Sequence, residues 1–162
     1  MELVVNVNYR GKLKSCIDLK KIDVVNSKYY TTPHQVVIKD AKGTLIFFSS
    51  GKFRVMGCVD ELEAAFLAYK YIEQIVSDEY PDISVQSYTS VAKLGLEINL
   101  DKLCNCTDTL YNPELFAAVQ MTSYKSVSVN VFRTGSVVTC GLKEPEHFYD
   151  ILRDLKSIIN MY

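Results

Sequence analysis

Residue types that commonly carry out catalysis or bind metals are few in this sequence and stand far apart. The two histidines, His34 and His147, have dissimilar neighbours, and no glycine-rich phosphate loop, metalloprotease helix motif or nucleophile elbow is present. Cys104 and Cys106 are two positions apart, but a zinc site needs about four ligands. We therefore predict that the chain is not an enzyme and that it uses no metal and no cofactor.

Two stretches instead suggest recognition chemistry, because each carries aromatic residues beside a tight turn. Residues 45–57 and 129–141 both have the pattern of two apolar strands joined by a turn that contains glycine. Three pairs of residues are each 84 positions apart: Phe48 and Phe132 (132 − 48), Gly51 and Gly135 (135 − 51), and Gly57 and Gly141 (141 − 57). Similarity at a fixed offset indicates an imperfect tandem duplication, with repeats at 1–80 and 81–162.

Hydrophobic periodicity predicts the same order of elements in both repeats, namely a strand, a short helix, four strands and a long helix. In the first repeat we expect a strand over 4–13, a short helix over 17–25, a turn-rich loop at 29–34, a strand over 35–40, the hairpin, and a helix over 60–77. In the second we expect alternation over 88–100, a loop at 111–116, the hairpin, and a helix that opens at Pro145. The first long helix is predicted to bury Leu62, Ala65, Phe66, Tyr69, Ile72, Ile75 and Val76. The last helix is predicted to bury Phe148, Ile151, Leu152, Leu155, Ile158 and Ile159.

Two such repeats can join their strands into one antiparallel sheet whose long helices cover one face. Strand alternation then places the following residues on the other face: Asn6, Asn8, Ile46, Phe48, Arg54, Met56, Thr89, Val91, Asn130, Phe132, Val138 and Cys140. Phe48 could belong to the core, but the adjacent Phe47 can fill the core in its place. An open face with such apolar side chains is costly unless something binds it. The pattern therefore predicts an α+β fold with a binding function.

The overall composition is that of an ordinary globular protein. The chain has 162 residues, of which 48% are hydrophobic and 23% charged, and its formal net charge is −1. No apolar run approaches the roughly 20 residues of a membrane span, and the N-terminus lacks the features of a signal peptide. The five cysteines are odd in number and scattered, which suits reduced thiols inside a cell. Since the net charge does not point to nucleic acid, any such role must come from local patches.

Three stretches resemble a known family, the TATA-box-binding protein core domain. These are residues 45–57, residues 111–119, and residues 18–20 with their counterpart in the second repeat. The resemblance covers essentially the whole chain in the right order. The family is itself the standard example of a sheet that binds the minor groove of DNA and kinks it with side-chain wedges. It implies an α+β saddle in which two pseudo-symmetric repeats form one curved antiparallel sheet, with the helices on the convex face.

In this family, two pairs of phenylalanines wedge between base steps at the two ends of the site. The resemblance places Phe116 and Phe132 at the second-repeat pair. In the first repeat Phe48 matches, whereas its partner position falls on His34. Histidine is smaller and more polar than phenylalanine, so we expect one kink to be weaker, and a solvated loop histidine is the alternative.

Other positions that contact DNA in the family carry mostly different residue types here. Asn6 matches an asparagine that hydrogen-bonds base acceptors, and its second-repeat counterpart is Ser87. The valine and threonine positions of the family correspond to Asn8, Arg54, Met56, Thr89, Val138 and Cys140. The predicted DNA-binding set is completed by Ile46 on the open face and by Lys52 and Lys143 at basic positions of the family. Arg54 could insert into a narrow minor groove.

The resemblance implies a transcription initiation factor that binds and bends promoter DNA and recruits general factors and RNA polymerase. Glu114 would face transcription factor IIB or a similar factor, although a lone surface acid could also be only solvated. Because the family is markedly basic and this chain is not, we expect weak or partner-dependent DNA binding. The alternative is a protein-interaction module that keeps the fold and has lost autonomous DNA binding. We expect the protein in the nucleus, or in a viral replication compartment or the cytoplasm if this divergent chain is viral.

Overall fold

The structure is a computed structural model that describes residues 3–77, 79–105 and 108–161. Its backbone divides into two compact units. One unit is formed by Val7–Gln86, and the other by Ser87–Tyr162 together with the start of the chain up to Asn6. Each unit combines antiparallel strands with a long helix.

In the unit Val7–Gln86, the sheet is assembled around the hairpin that the sequence predicts. The elements are β1 (Leu3–Lys12), a 3₁₀ turn (Leu19–Lys21), β2 (Ser27–Thr31), β3 (His34–Asp40), β4 (Gly43–Phe48), β5 (Lys52–Met56) and α1 (Glu61–Ile75). The strands lie in the order β2-β3-β4-β5-β1, and neighbouring strands are antiparallel. The first strand therefore lies beside the second strand of the predicted hairpin.

The unit Ser87–Tyr162 repeats this arrangement. Its elements are β6 (Ser84–Lys93), α2 (Leu100–Cys104), β7 (Thr109–Leu110), β8 (Ala118–Met121), β9 (Ser128–Phe132), β10 (Ser136–Leu142) and α3 (His147–Ile159). The strands lie in the order β6-β10-β9-β8-β7 and are again antiparallel. The described part of each repeat thus runs strand, short helical turn, four strands and long helix, so the predicted order is confirmed.

The duplication is also visible in the backbone hydrogen bonds that tie the hairpin turn to the chain leaving the first strand. The N–H groups of Leu13 and Ile17 donate to the carbonyls of Gly51 and Ser49, and those of Leu94 and Ile98 donate to the carbonyls of Gly135 and Arg133. Gly51 and Gly135 have φ values of +81° and +79°. A Cβ on Gly51 would lie 2.4 Å from the carbonyl oxygen of Ser15, and one on Gly135 would lie 2.1 Å from that of Leu96. Both turns therefore require glycine for conformation and for space.

The bounds of the long helices agree with the predicted ones to within a few residues, and the buried face of α1 agrees in part: Ile72 is buried, and Ala65, Tyr69, Ile75 and Val76 pack partly buried against the core. Asp60 caps α1 by accepting a hydrogen bond from the N–H of Glu63 at 2.8 Å. The buried residues of α1 are Ala64, Leu67, Ala68, Tyr71 and Ile72. Leu62 and Phe66, predicted to be buried, are 66% and 67% exposed. The helix turns its alanines toward the sheet, where small side chains allow close approach.

The predicted face of α3 is confirmed for its central residues. Phe148, Ile151, Leu152 and Leu155 are buried, and Ile158 and Ile159 pack against the same core cluster.

Three local predictions were wrong. The predicted loop at 29–34 contains the last three residues of β2 and the first residue of β3, because Tyr29 packs against the core and pairs with Val36 across the strands. The predicted alternation over 88–100 ends with β6 at Lys93, and Gly95 then turns the chain with φ +75°. The short helix over 17–25 is only the turn Leu19–Lys21.

Candidate functional site

The sheet of the unit Val7–Gln86 has one face packed against α1 and one face without a helix, which we call the open face. Leu45, Phe47, Phe53 and Val55 are buried with the residues of α1. The residues that alternate with them pair across the strands on the open face: Ile46 with Arg54, Met56 with Asn8 and Thr44, and Arg54 with Arg10. The predicted alternation of Asn8, Ile46, Phe48, Arg54 and Met56 is therefore confirmed.

The unit Ser87–Tyr162 has an open face of the same kind. Ala92, Val129, Val131 and Val137 are buried beneath α3 and α2. On the opposite side the strand register pairs Thr89 with Cys140, Val91 with Val138, and Val138 with Asn130. Ser87 and Phe132 follow the same alternation in β6 and β9. Polar and apolar side chains thus alternate along a surface that its own helices do not cover.

Phe116 and Phe132 form an aromatic pair at the edge of this open face. Their ring centroids are 5.9 Å apart and the ring planes meet at 72°, which is an edge-to-face contact. Phe116 is 49% exposed although it is aromatic. Its loop is held by Asn112, whose carbonyl accepts hydrogen bonds from the N–H groups of Leu115 and Phe116 at 3.0 and 2.9 Å. The structure therefore brings together the two residues that the resemblance paired.

The corresponding first-repeat residues, His34 and Phe48, are not brought together as a ring pair in the described part of the chain. The ring of His34 lies 6.4 Å from that of Tyr29, and His34 Nδ1 is 3.1 Å from the Tyr29 hydroxyl. By strand alternation His34 falls on the side of the buried Val36, whereas Gln35 pairs with Phe48. Phe48 instead contacts the guanidinium of Arg54, 5.6 Å from its ring centre. The sequence correctly places Phe48 on the open face, but not His34 beside it.

Basic residues are concentrated on the open face of the unit Val7–Gln86, which the net charge conceals. By strand alternation this face carries Arg10, Lys12, Lys28, Lys39, Lys52 and Arg54, all exposed. The open face of the other unit carries Lys93, opposite Ser136. Arg10 and Lys12 were missed from the sequence, although they continue the alternation that Asn6 and Asn8 begin. A local positive patch therefore exists in a chain whose net charge is −1.

Asp40, by contrast, has its carboxylate on the helix side of the sheet. The Asp40 carboxylate accepts hydrogen bonds from Lys70 Nζ and the Tyr71 hydroxyl, both at 2.7 Å, and from the N–H of Lys42 at 3.0 Å. These bonds, with that from Lys70 the strongest, hold the pKa of Asp40 well below its usual range. The negative charge is thus kept on the helix side, away from the basic open face.

The remaining predicted residues lie at exposed or partly exposed positions. Asn6 and Lys143 are exposed, and Glu114 is exposed in the loop of Phe116, where its N–H donates to Asn112 Oδ1 at 3.2 Å. Leu115, beside Glu114, is 83% exposed and was not predicted from the sequence as a site residue. Its exposure could not be inferred from its residue type.

The described residues contain no cluster of three or more side chains that could hold a metal ion. Cys106, one of the two cysteines considered for metal binding, lies outside the described residues. Within the described ranges no helix is long and apolar enough to cross a membrane.

These features define an internally repeated α+β domain in which each unit leaves one sheet face open. The family model described as transcription factor TFIID, or TATA-binding protein, matches residues 82–162. The TATA-box-binding protein of Methanococcus aeolicus is 32% identical over 169 residues, covering 96% of this chain and 92% of that protein. The solved structure of Methanococcus jannaschii TBP matches 100% of both chains with a TM-score of 0.75 and 26% identity. The chain belongs to the TATA-box-binding protein family.

Family membership confirms the expected α+β, TBP-like fold class, because the similarity in structure extends over the whole chain. A more distant relative, the TATA-box-binding protein of Candida albicans, is 27% identical over 158 residues and is covered to 66% of its length. The family is one of transcription factors, which agrees with the prediction that the chain is not an enzyme.

Proposed function

We propose that this protein is a transcription initiation factor that binds double-stranded promoter DNA through the minor groove and bends it. The single observation that carries the proposal is the edge-to-face pair of Phe116 and Phe132 beside an open sheet face. Half-exposed aromatic rings held against one another can enter a base step together, and unstacking that step kinks the duplex. In this proposal, repeats 1–80 and 81–162 each contribute half of the DNA-binding surface.

The basic residues of the open face support DNA binding by the protein alone. Each lysine or arginine that neutralises a phosphate releases a counterion, so affinity depends on the local number of basic contacts and not on the net charge. The open face of Val7–Gln86 provides these contacts, since its acidic neighbour Asp40 is bound to α1. We therefore propose stronger autonomous binding than the net charge alone suggests.

Protein partners complete the proposed function. Glu114 and the exposed Leu115 stand together on the loop of Phe116, where a partner could contact an acid and an apolar group at once. We propose that a transcription factor IIB-like protein binds there and that RNA polymerase and other initiation factors follow. The protein would act in the compartment that holds its promoter DNA, which is the nucleus in a eukaryotic host cell.

A second candidate function is a protein-interaction module that does not bind DNA by itself. One observation favours it: Leu62 and Phe66, one turn apart in α1, are both exposed, and so is Val59 just before the helix. Large exposed apolar side chains at helical spacing are typical of a docking surface. In this alternative the open face would need a partner before it could bind a duplex.

The test is fluorescence anisotropy of labelled A·T-rich and G·C-rich duplexes across a salt series. We expect binding that weakens with salt, and a loss of at least about tenfold in the variant Phe116→Ala with Phe132→Ala, since each base–aromatic contact contributes about 1–3 kcal/mol. The matched control is Phe66→Ala, which removes an exposed phenylalanine from α1 and should leave affinity unchanged. Absence of binding even at low salt would overturn the proposal in favour of the interaction module.

A further inference from the structure

The most informative unassigned feature is a group of three polar side chains on the open face of the unit Ser87–Tyr162. Gln120 of β8 and Asn130 of β9 are paired in the strand register, and Ser128 lies two residues before Asn130 in β9. All three are partly exposed, whereas the residues that alternate with them are buried in the core of the unit. The three side chains therefore lie together on the side of the sheet that no helix of the unit covers.

One hydroxyl group fixes the orientation of both amides. Gln120 Nε2 donates to Ser128 Oγ at 3.4 Å, and Asn130 Nδ2 donates to the same oxygen at 3.3 Å. Because the nitrogen of each amide is turned toward Ser128, its carbonyl oxygen is turned away. Among the residues that the structure describes, no donor is bonded to either carbonyl oxygen. The cluster therefore presents two oriented hydrogen-bond acceptors on the open face.

The first repeat has apolar residues at the equivalent positions. Ile46 lies 84 positions before Asn130 (130 − 46), the same offset that relates Phe48 to Phe132. Val37 pairs with Ile46 in the register, as Gln120 pairs with Asn130. The side chains of valine and isoleucine form no hydrogen bonds, so the two open faces differ in what they offer to the edge of a base.

The minor groove of DNA contains one group that an acceptor can bind. A·T pairs show only acceptors there, whereas a G·C pair adds the amino group of guanine, which is a donor. The carbonyl oxygens of Gln120 and Asn130 can accept a hydrogen bond from this amino group. Against Ile46 the same amino group would lose its water and gain no partner, which costs free energy.

We propose that Gln120 and Asn130 bind the minor-groove amino group of guanine, so that this protein selects a G·C pair in the part of its site that lies against the second repeat. The proposal rests on the proposed DNA-binding function and adds two residues that determine sequence. Ser128 is a positioning residue, because it orients the amides and does not itself contact the base. The contact is compatible with bending, since guanine occurs in the CA/TG step, which kinks easily.

The experiment changes the amino group alone. In an A·T-rich duplex each adenine is replaced in turn by 2,6-diaminopurine, which adds an amino group in the minor groove and keeps the major-groove groups of adenine. The affinity for each duplex is measured by fluorescence anisotropy. At one or two positions we expect the added amino group to raise affinity by about threefold to tenfold, the range of one neutral hydrogen bond. An amino group that lowers affinity or leaves it unchanged at every position would overturn the proposal.

The converse experiment places a G·C pair at the position that responds and then replaces its guanine by inosine. Inosine lacks the minor-groove amino group and keeps the major-groove acceptors of guanine. We expect the guanine duplex to bind about threefold to tenfold more tightly than the inosine duplex. Equal affinities would show that the amino group is not bound and would contradict the proposal.

Two variants test the residues themselves. Gln120→Val with Asn130→Ile gives the second repeat the side chains of the first, and we expect the amino group to lower its affinity at the position where it raises that of the wild type. Ser128→Ala releases both amides, and we expect the gain from the amino group to fall below about twofold. The matched control, Gln74→Leu, removes an exposed amide from α1 and should leave the gain unchanged. Circular dichroism of each variant checks that the fold is kept.

The outcomes separate this proposal from the proposed function. If the wild type binds the unmodified duplex but gains nothing from any amino group, the inference fails and DNA binding stands. If the gain persists in Gln120→Val with Asn130→Ile, another group binds the amino group and the inference again fails alone. If the wild type binds none of the duplexes at low salt, both proposals fail.

Discussion

The rings of Phe132 in β9 and of Phe116 in the loop before β8 meet edge to face, with an angle of 72° between their planes and a centroid distance of 5.9 Å. Each ring limits the rotation of the other, so the pair is a stiff apolar projection and not two independent side chains. Stiffness matters for a wedge, because a side chain already held in place loses little conformational entropy when it enters a base step.

Coupling between the two rings is the first prediction. We expect Phe116→Ala and Phe132→Ala each to reduce the DNA bend and affinity nearly as much as the double variant does, since removing one ring releases the other. The bend is measured by energy transfer between dyes at the two ends of a duplex. Strictly additive losses would show that the rings act separately.

His34 gives a second prediction. Because its ring lies against Tyr29 and its strand position points to the side of Val36, we expect His34→Ala to change DNA affinity less than about twofold. The comparison is Phe48→Ala. Phe48 lies on the open face, so we expect this variant to lose more DNA affinity than His34→Ala does. A loss for His34→Ala as large as that for Phe132→Ala would show that His34 enters the duplex.

The bonds of Asp40 predict a pH dependence of stability. The pKa of Asp40 is lowered in the folded state, mainly by the hydrogen bond from Lys70, so its stabilisation is complete above the unfolded-state pKa of about 4. Below that pH the stabilisation decreases progressively as the carboxylate takes up a proton. We expect Asp40→Asn to lower the free energy of unfolding by about 1–3 kcal/mol at pH 7 and to reduce its fall between pH 4 and pH 2, measured by urea denaturation. Equal acid sensitivity in the variant and the wild type would contradict this.

Cysteine reactivity offers a fourth test, because the thiols differ in exposure. Cys58 is buried and burial raises the pKa of its thiol, so we expect it to resist alkylation, whereas the exposed Cys16 and Cys140 react. Cys140 lies on the open face, so bound DNA should slow its alkylation. Mass spectrometry after a short pulse of iodoacetamide measures the extent of alkylation at each cysteine. The control is the same pulse at a salt concentration that dissociates the duplex, where protection of Cys140 should disappear.

The turn glycines predict a difference in stability between two similar substitutions. Gly135→Ala places a methyl group 2.1 Å from the Leu96 carbonyl oxygen at positive φ, whereas Gly95→Ala meets nothing within 4 Å at a similar φ. We expect the first to lower the free energy of unfolding by about 3 kcal/mol or more and the second by about 1 kcal/mol. Thermal or urea unfolding of both variants measures the difference. Equal losses would show that φ alone, and not the contact with Leu96, determines the cost.

The sequence predicted the order of elements and the alternation of the strands, because both follow from local patterns that the tertiary fold did not override. It was only partly right for α1, whose surface carries two apolar stripes: Ile72 is buried as predicted, but Leu62 and Phe66 are exposed. Phe66 lies on the more conspicuous stripe, but Ala64 and Ala68 face the sheet because small side chains let the helix approach it closely. The periodicity of apolar residues cannot show which of two stripes is buried, since that depends on the shape of the sheet on which the helix packs.

The candidate site was predicted in the same uneven way. Phe48, Phe116 and Phe132 lie on or beside the open faces as predicted, because the hairpin repeats and the loop has a recognisable pattern. Arg10 was missed because it lies 44 positions before the predicted Arg54 (54 − 10) and becomes its neighbour only through the pairing of β1 with β5. His34 was misplaced because a strand that begins immediately after a two-residue turn has the same composition as a loop.

The hydrogen bonds that hold the Gly51 and Gly135 turns join backbone to backbone, and the side chains of the open faces take no part in them. Residues such as Ile46 and Val138 can therefore be exchanged in combinatorial libraries without altering the connections that hold each unit together. The domain is for this reason a practical starting point for laboratory evolution, in which new groove preferences are selected on a framework that stays the same.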